Sequence, residues 1–186
     1  VTMIGTFLTA MNIVREKEIG TIEQLNVSPI GKYQFIAGKL TPFWIVAMLE
    51  LAFGLVVAEF LFEVPMLGSI PLIFGLAAVY LLAVLGLGLW ISTVTNTQQQ
   101  AMFIAWFFMV IFILMSGLFT PIESMPIWAQ YLTELNPVAH FIEIMRRVLL
   151  KGAGTTAIQK QLWTLIVMAV VVLSLAIRQY RKVGSS

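Results

Sequence analysis

Few side chains in this sequence can do chemistry, and their spacing narrows the choice further. His140 is the single histidine. With Glu143 at i+3 it shares one helix face and could touch one metal ion. The chain has no Asp, no Cys and no second His. A thiolate site and the two-histidine metalloprotease pattern therefore cannot be assembled. No Ser occupies a GxSxG nucleophile elbow. Gly86-Leu87-Gly88 runs on into Leu89, Trp90 and Ile91, so the dinucleotide fingerprint fails; inside an apolar run, such glycines serve helix packing. Gly31-Lys32 and Gly38-Lys39 lack the upstream glycine and the Ser/Thr of a phosphate-binding loop. One carboxylate stands apart. Glu50 lies eight residues into an apolar run, about 12 Å deep. An acid at that depth either lines a substrate path, holds a proton, pairs with a polar group such as Ser92 or Thr95 on a neighbouring span, or snorkels to the interface. Glu59 and Glu63, near the far end of the run, mark an interface.

The elements that must carry these residues follow from composition. Of 186 residues, 60% are hydrophobic and 11% charged, and the mean hydropathy is +0.95. Soluble domains average about 45–50% apolar and about 25% charged residues. So few charges cannot cover a soluble surface, and so much apolar surface is incompatible with disorder. An all-α integral membrane protein is expected. Lys and Arg are scattered, which gives no footprint for nucleic acid. Apolar runs cover Val1–Val14, Phe43–Phe62, Ile70–Val94, Ala101–Leu118 and residues 161–178, bracketed by Lys160 and Arg178. About five spans are expected, the first only partial, because fourteen residues make about 21 Å of helix against a ~30 Å core. The first run has neither the basic start nor the cleavage site of a signal peptide. It reads as the second half of a span, and the chain as the C-terminal piece of a longer protein. Trp44, Trp90, Trp106, Trp128 and Trp163 are expected as interfacial anchors.

With the connection after Val14 on the cytoplasmic side, Arg15, Lys17, Lys32, Lys39, Arg178, Arg181 and Lys182 lie inside. Arg146, Arg147, Lys151 and Lys160 lie outside, so the positive-inside bias favours this orientation and a cytoplasmic C-terminus. Residues 15–39 form the cytoplasmic connection. Arg15 to Ile19 can continue the first helix, and Gly20 breaks it. Thr21 and Gln24 have capping-box spacing for a short helix from Ile22, which Ser28-Pro29 should stop. Glu23 and Gln24 then face solvent or a partner.

The outer stretch, residues 117–152, is the second informative region. Gly117, Pro121 and Pro126 break the fourth span. Ile127, Trp128, Tyr131, Leu132 and Leu135 recur on one helical face. Asn136-Pro137 predicts a cap and first-turn proline, followed by an apolar stripe through Val138, Phe141, Ile142, Met145, Val148 and Leu149. Glu143 and Arg147 are spaced to pair at i, i+4. Lys151-Gly152 should end that helix. Two amphipathic helices at the outer interface, or dipping in and returning, are expected.

Arg15-Glu16-Lys17-Glu18-Ile19-Gly20-Thr21-Ile22-Glu23-Gln24-Leu25, with Val27-Ser28-Pro29-Ile30, resembles the cytoplasmic loop of ABC-2 type transporter permeases. Ser116-Gly117-Leu118-Phe119-Thr120-Pro121-Ile122-Glu123-Ser124-Met125-Pro126 resembles the outer segment of the same family. That likeness continues through Asn136-Pro137 to Phe141-Ile142-Glu143-Ile144-Met145-Arg146 and Lys151-Gly152. It covers essentially the whole chain, 1–186, in matching order. It implies an ABC-2 transmembrane helix bundle that has lost its first span, and a permease with no nucleotide site or cofactor of its own. ATP and Mg would be used by a separate ATPase subunit, and a second permease subunit, identical or similar, would complete the pair. Residues 15–29 would be the coupling-helix region, with Arg15, Glu16, Glu18, Gly20, Thr21, Glu23 and Gln24 serving ATPase coupling. Residues 117–152 would be extracellular re-entrant helices, with Pro121, Pro126, Asn136, Pro137, Glu143 and Arg146 in an outer gate. The resemblance further implies a multi-pass location in a bacterial inner membrane and, from the nearest relatives, efflux of a hydrophobic compound. The competing reading is a fragment of an ion-coupled secondary transporter or channel, with Glu50 as its intramembrane polar site. That reading needs helix breaks near the midplane, whereas the breaks here lie at the outer end.

Overall fold

The computed structural model describes residues 2–20 and 31–179. The described residues fold as helices joined by short connections, with no strand among them. Helix α1 spans Thr2–Ile19, α2 Lys32–Phe62, α3 Ile70–Val94 and α4 Gln98–Leu114. Two short helices follow, α5 over Ile127–Glu134 and α6 over Pro137–Met145, then a π turn at Arg146–Leu150. The last long helix, α7, is Gln159–Gln179. The segments Tyr33–Phe62, Ile70–Val94 and Thr155–Gln179 are long and apolar enough to cross a bilayer. α4, the expected fourth span, is apolar but has 17 residues. α1 ends in the charges of Arg15–Glu18 and does not meet that standard.

Helix ends sort to two poles. At one pole, Lys17 of α1 reaches the carbonyls of Ser92 and Thr95. Ile13, Ile36, Leu40, Leu85, Leu89 and Ala176 form a buried cluster there. At the other pole the Leu67 amide donates to the Leu149 carbonyl at 3.1 Å. We call these the charged pole and the hairpin pole. Helix α3 is the axle between them. It is the most buried of the long helices, with Tyr80, Leu81, Val84, Leu85 and Leu89 fully enclosed. A lipid-exposed helix needs only an apolar surface, but a central one needs close neighbours. Two glycines admit them. A Cβ at Gly88 would stand 2.8 Å from the Thr6 carbonyl oxygen and 3.0 Å from Thr9 Cβ. One at Gly86 would stand 3.2 Å from the Leu173 side chain of α7. The Gly86-Leu87-Gly88 step is thus a packing device serving α7 on one side and α1 on the other.

Helix α2 begins eleven residues before the expected Phe43, at Lys32. The inner part of what reads as a connection is helical because Ile36 and Leu40 form an apolar stripe buried against α1, α3 and α7. Pro42 sits inside this helix, where it cannot donate to the ladder. At its far end α2 stops at Glu63, which adopts a left-handed conformation with φ 50°. The outward faces of α2 and α7 expose Leu49, Phe53, Val56, Phe60, Val167 and Val170, which is a lipid-facing composition.

The expected helix breaks coincide with backbone signals. Gly20, Gly117 and Gly152 have positive φ, +79°, +79° and +59°. These are conformations in which an L side chain is strained. Two of the expected tryptophan anchors are corrected. Trp44 lies well inside α2 and donates its indole N–H to the Ala78 carbonyl at 3.3 Å. Trp90 meets Phe108 edge to face at 6.3 Å. Both pack between helices because the early start of α2 and the burial of α3 bring neighbours to them. Trp106, Trp128 and Trp163 are exposed.

The α1–α3 contact gives a prediction. Gly88→Ala should lower thermal stability in detergent by about 1–3 kcal/mol, through overpacking. Gly75→Ala, where a Cβ meets nothing within 4 Å, should be neutral or slightly stabilising. Equal melting temperatures for the two variants would contradict the close approach.

Candidate functional site: a charged clamp and its adjoining cavity

At the charged pole, three consecutive residues of α1 each engage a different helix. Glu16 pairs with Lys39 of α2. Lys17 donates to the carbonyl oxygens of Ser92 and Thr95, the latter at 3.2 Å, closing the C-terminus of α3. Glu18 accepts the backbone N–H of Gln98 at 2.9 Å and the Gln98 side-chain amide, closing the N-terminus of α4. Helix ends leave carbonyls unpaired at the C-terminus and amides at the N-terminus, with matching partial charges. A cation at the end of α3 and an anion at the start of α4 therefore each meet their complement. Thr97 adds the N-cap of α4, its side chain accepting from the Gln100 amide at 3.2 Å. Burial lowers the pKa of the Lys17 ammonium. The side-chain and then the backbone hydrogen bond from Gln98 hold the Glu18 carboxyl below the ordinary carboxylate range.

This corrects one expectation. Glu16 and Glu18 are not free for a partner alone: their carboxylates are engaged within the chain, with Glu16 partly buried against α2 and Glu18 exposed beside the α3–α4 turn, because α1 continues as a helix past Val14. Arg15 is exposed, and Gly20 bends the chain away with φ +79°. Thr21, Glu23 and Gln24 lie outside the described residues. Sequence reading missed Lys17, Lys39, Ser92, Thr95 and Gln98 as members of the cluster. The signal available was the alternation of sign in Glu16-Lys17-Glu18 opposite a polar turn, Thr95-Asn96-Thr97-Gln98.

Beside the clamp lies a cavity of about 1250 Å³. Phe7, Met11, Met102, Phe103 and Trp106 make it apolar, and Asn96, Gln99 and Gln100 place amides at its charged-pole rim. It is bounded by α1, the α3–α4 turn and α4.

Glu50 is half-buried on α2. Its expected pairing with Ser92 or Thr95 is corrected by register. The Trp44–Ala78 bond fixes α2 and α3 antiparallel, with Leu51 and Leu55 beside Ile73 and Ala77. Glu50 therefore lies on the hairpin side of Ala78, and Ser92 lies about 21 Å along the axis on the other side. The hydroxyls of Ser92 and Thr95 bond to Leu89 and Ile91 of their own helix.

At the hairpin pole the expected outer residues occupy one folded unit. Pro121 precedes the 3₁₀ turn Ile122–Ser124, and Pro126 precedes α5. Asn136 caps α6, its Oδ1 accepting from the Val138 amide at 3.0 Å, with Pro137 in the first turn. The Asn136 amide also donates to the Phe112 carbonyl of α4 at 2.7 Å, and the Thr133 hydroxyl lies between the Ala129 carbonyl of its own helix at 2.9 Å and the Met115 carbonyl at 3.2 Å. Glu143 pairs with Arg147 as expected, and Arg147 donates to the Ala157 carbonyl at 2.9 Å. Arg146 reaches the Gly117 carbonyl at 3.4 Å. His140 contacts the Glu134 carbonyl at 2.9 Å. Helix α6 descends against α3: Phe141 stacks on Tyr80 with centroids 4.1 Å apart. Tyr80 lies about 15 Å along α3 from its start, so the hairpin folds back against the middle of α3.

Two predictions come from these ends. Asn136→Ala should destabilise α6 by about 0.5–2 kcal/mol through loss of the cap, read as faster hydrogen exchange at Val138; unchanged exchange would contradict the cap. The Glu18 clamp has the opposite dependence to a lysine pair. Its contribution is present above the unfolded carboxylate pKa and is lost as pH falls through the lowered folded value. Protection of the Gln98 amide should therefore persist below the ordinary carboxylate range and then vanish. In Glu18→Gln that acid transition should be missing; its survival would assign it to another group.

A family profile described as "ABC-2 family transporter protein" matches residues 1–178. The "Probable multidrug ABC transporter permease YbhR" of Escherichia coli strain K12 is 37% identical over 183 residues, covering 98% of this chain and 50% of the relative. "Probable multidrug ABC transporter permease YbhS" of the same strain is 33% identical, covering 81% of this chain and 40% of the relative. The "Linearmycin resistance permease protein LnrN" of Bacillus subtilis strain 168 is 24% identical over 157 residues, covering 84% of this chain and 40% of that protein. The chain thus spans about half the length, or less, of these curated relatives. No solved structure matches it. With one profile running through nearly the whole helical bundle and its hairpin, the chain belongs to the ABC-2 family of transporter proteins.

Proposed function

We propose that this chain is part of a membrane permease subunit that moves an apolar or amphipathic compound across the membrane, driven by ATP hydrolysis on a separate ATPase subunit. The observation that carries the reading is the charged clamp. It joins the end of α1, and hence residues 21–30 directly beyond it, to α2, α3 and α4 at one pole. A push delivered at 21–30 would reach three helices at once. In this reading the charged pole is cytoplasmic, the C-terminus lies on that side, and residues 15–29 are the coupling region. Arg15, Glu23 and Gln24 would meet the ATPase, while Gly20 and Thr21 would shape the bend. Magnesium and ATP would stay with the partner.

The cavity supports the substrate class. Its wall of Phe7, Phe103, Trp106, Met11 and Met102 suits an apolar body, and Asn96, Gln99 and Gln100 suit a few polar groups. Such a mixture is usual for small-molecule sites. The word "multidrug" in the names of two relatives agrees with this. A second permease subunit facing α1 and α4 would close the open side of the cavity. The exposed apolar faces of α2 and α7 would meet lipid in a bacterial inner membrane.

The test uses the full-length protein. This chain has no cysteine, so a single cysteine at Gln24 gives a defined crosslinking site in native membranes. The expected product contains a protein with a phosphate-binding loop of the ATPase type; a well-expressed protein that yields no such product would overturn the reading. Glu23→Arg should abolish ATPase association while leaving the melting temperature unchanged. Normal co-purification of the ATPase with this variant would remove Glu23 from the docking surface.

A further inference from the structure

In the half of the bundle nearer the charged pole, α2 and α7 flank α3 without closing over it. Leu82 of α3 is 40% exposed there, although its neighbours Leu81 and Val84 are fully enclosed. The opening is a furrow of about 530 Å³, floored by Ala78, Val79 and Leu82 and walled by α2 and α7. It runs from Tyr33, at the start of α2, to Trp44, which is about 16 Å of helix. Half of a bilayer core is about 15 Å, so the furrow has the length of one leaflet. Its volume over that length leaves a channel about 6 Å across, against about 10–12 Å for a helix with its side chains. The furrow therefore takes a single hydrocarbon chain and not another helix.

The walls offer no polar partner along this length. The Trp44 indole N–H is taken by the Ala78 carbonyl at 3.3 Å, and the Thr41 hydroxyl donates to the Ala37 carbonyl of its own helix at 2.7 Å. A polar occupant would be left unsatisfied there, and a hydrocarbon one would not. The charged-pole end differs. Tyr33 is exposed, and its hydroxyl has no hydrogen bond among the described residues. Ile177 of α7 ends the opposite wall. The next residue, Arg178, is exposed and has no ion pair among the described residues. An arginine stem is long enough to lie along apolar surface and bring its guanidinium to such a mouth. No acid offsets that charge. The sequence has no Asp, and no Glu after Glu143. On α2 the acids are Glu50 and Glu59, both beyond the Trp44 end. Glu16 is paired with Lys39, and Glu18 is engaged with Gln98.

From a leaflet-long apolar furrow with an unpaired cation at its polar end, we propose that this is a binding site for one phospholipid with an anionic headgroup, drawn from the leaflet at the charged pole. One acyl chain lies on α3 between α2 and α7, and the phosphate meets Arg178 and the Tyr33 hydroxyl. Guanidinium–phosphate hydrogen bonds are charge-assisted. A zwitterionic headgroup carries its own cation beside the phosphate, which weakens that attraction; an anionic headgroup has none. The lipid fills the gap between α2 and α7 at the end where Lys39 ties α2 to α1. It thereby becomes part of the bundle. The furrow shares no lining residue with the cavity beside the clamp, and the proposal does not depend on the ATP-driven reading.

The experiment uses the full-length permease in native membranes, with any cysteines outside this chain replaced. Ala37→Cys, at an exposed position lining the furrow, and Leu49→Cys, at an exposed position outside it, each carry an aliphatic diazirine. After illumination the adducts are identified by mass spectrometry, and the label at position 49 reports the surrounding lipid. At position 37 the expected adduct is a phospholipid, with anionic headgroups enriched about fivefold over position 49, the factor that one cation near an anionic lipid supplies. Arg178→Gln should remove the enrichment, and Lys160→Gln, at the other end of α7, should leave it. Leu82→Trp, which fills the floor of the furrow, should cut the adduct at position 37 to less than half. Arg178→Gln changes an exposed side chain, so its result stands even if Leu82→Trp does not fold. The same headgroup composition at both positions would overturn the site, since the label would then see only surrounding lipid. An adduct with another segment of the full-length chain, or with a second copy, would overturn the lipid as occupant. Enrichment that survives Arg178→Gln would overturn the headgroup assignment.

Discussion

Helix ends in a membrane protein carry polar groups that the surrounding lipid cannot satisfy, and the bundle is organised around meeting them. The α3–α4 turn shows how. Two helix termini of opposite polarity come together there, and α1 supplies a cation and an anion in adjacent positions. The Glu18 carboxylate is exposed, but the Lys17 ammonium would not be comfortable alone at this place. Burial disfavours the Lys17 ammonium, and the carbonyls of Ser92 and Thr95 compensate it. The pairing of α1 with α3 and α4 follows from this, as does the location of the cavity between them.

The same constraint recurs at the opposite pole. Asn136 uses both ends of its side chain, the oxygen capping α6 and the amide closing α4. Substituting Ser or Asp would keep the cap and lose the amide's donation. The hairpin is therefore seated with part of its broken backbone paired to protein. The Tyr80–Phe141 stack then seats α6 against the central helix, and the Tyr80 hydroxyl meets Thr2 of α1 at 2.6 Å. The axle helix thus touches α1 and the hairpin through one side chain.

Packing between the poles depends on small residues. Gly86 and Gly88 let α7 and α1 approach α3, while Ala101 and Ala105 let α4 lie along α1. The consequence is a bundle whose central helix is held by close contact on both sides, with Trp90 and Phe108 packing between α3 and α4.

Much of this was legible in the residues. The apolar run Ile70–Val94 is the helix observed, because nothing within it interrupts a helical ladder and it is bounded by polar groups. Gly20, Gly117 and Gly152 stop helices for a reason local to glycine. The Asn136-Pro137 cap and the Glu143–Arg147 pair need only their neighbours in sequence. The absence of a phosphate-binding loop is likewise a property of the sequence. What tertiary structure decided were the long-range partners. A run of charges at Arg15–Glu18 reads as a solvated connection until α2 and the α3–α4 turn are laid against it. The early start of α2 depends on burial of Ile36 and Leu40 by three other helices. Trp44 and Trp90 turn inward for the same reason. Glu50 loses its expected partners because antiparallel register, fixed by Trp44 on Ala78, sets them far apart along the axis. Local conformation is encoded by neighbours in the chain, but a charge finds its counter-charge only after the helices have chosen theirs.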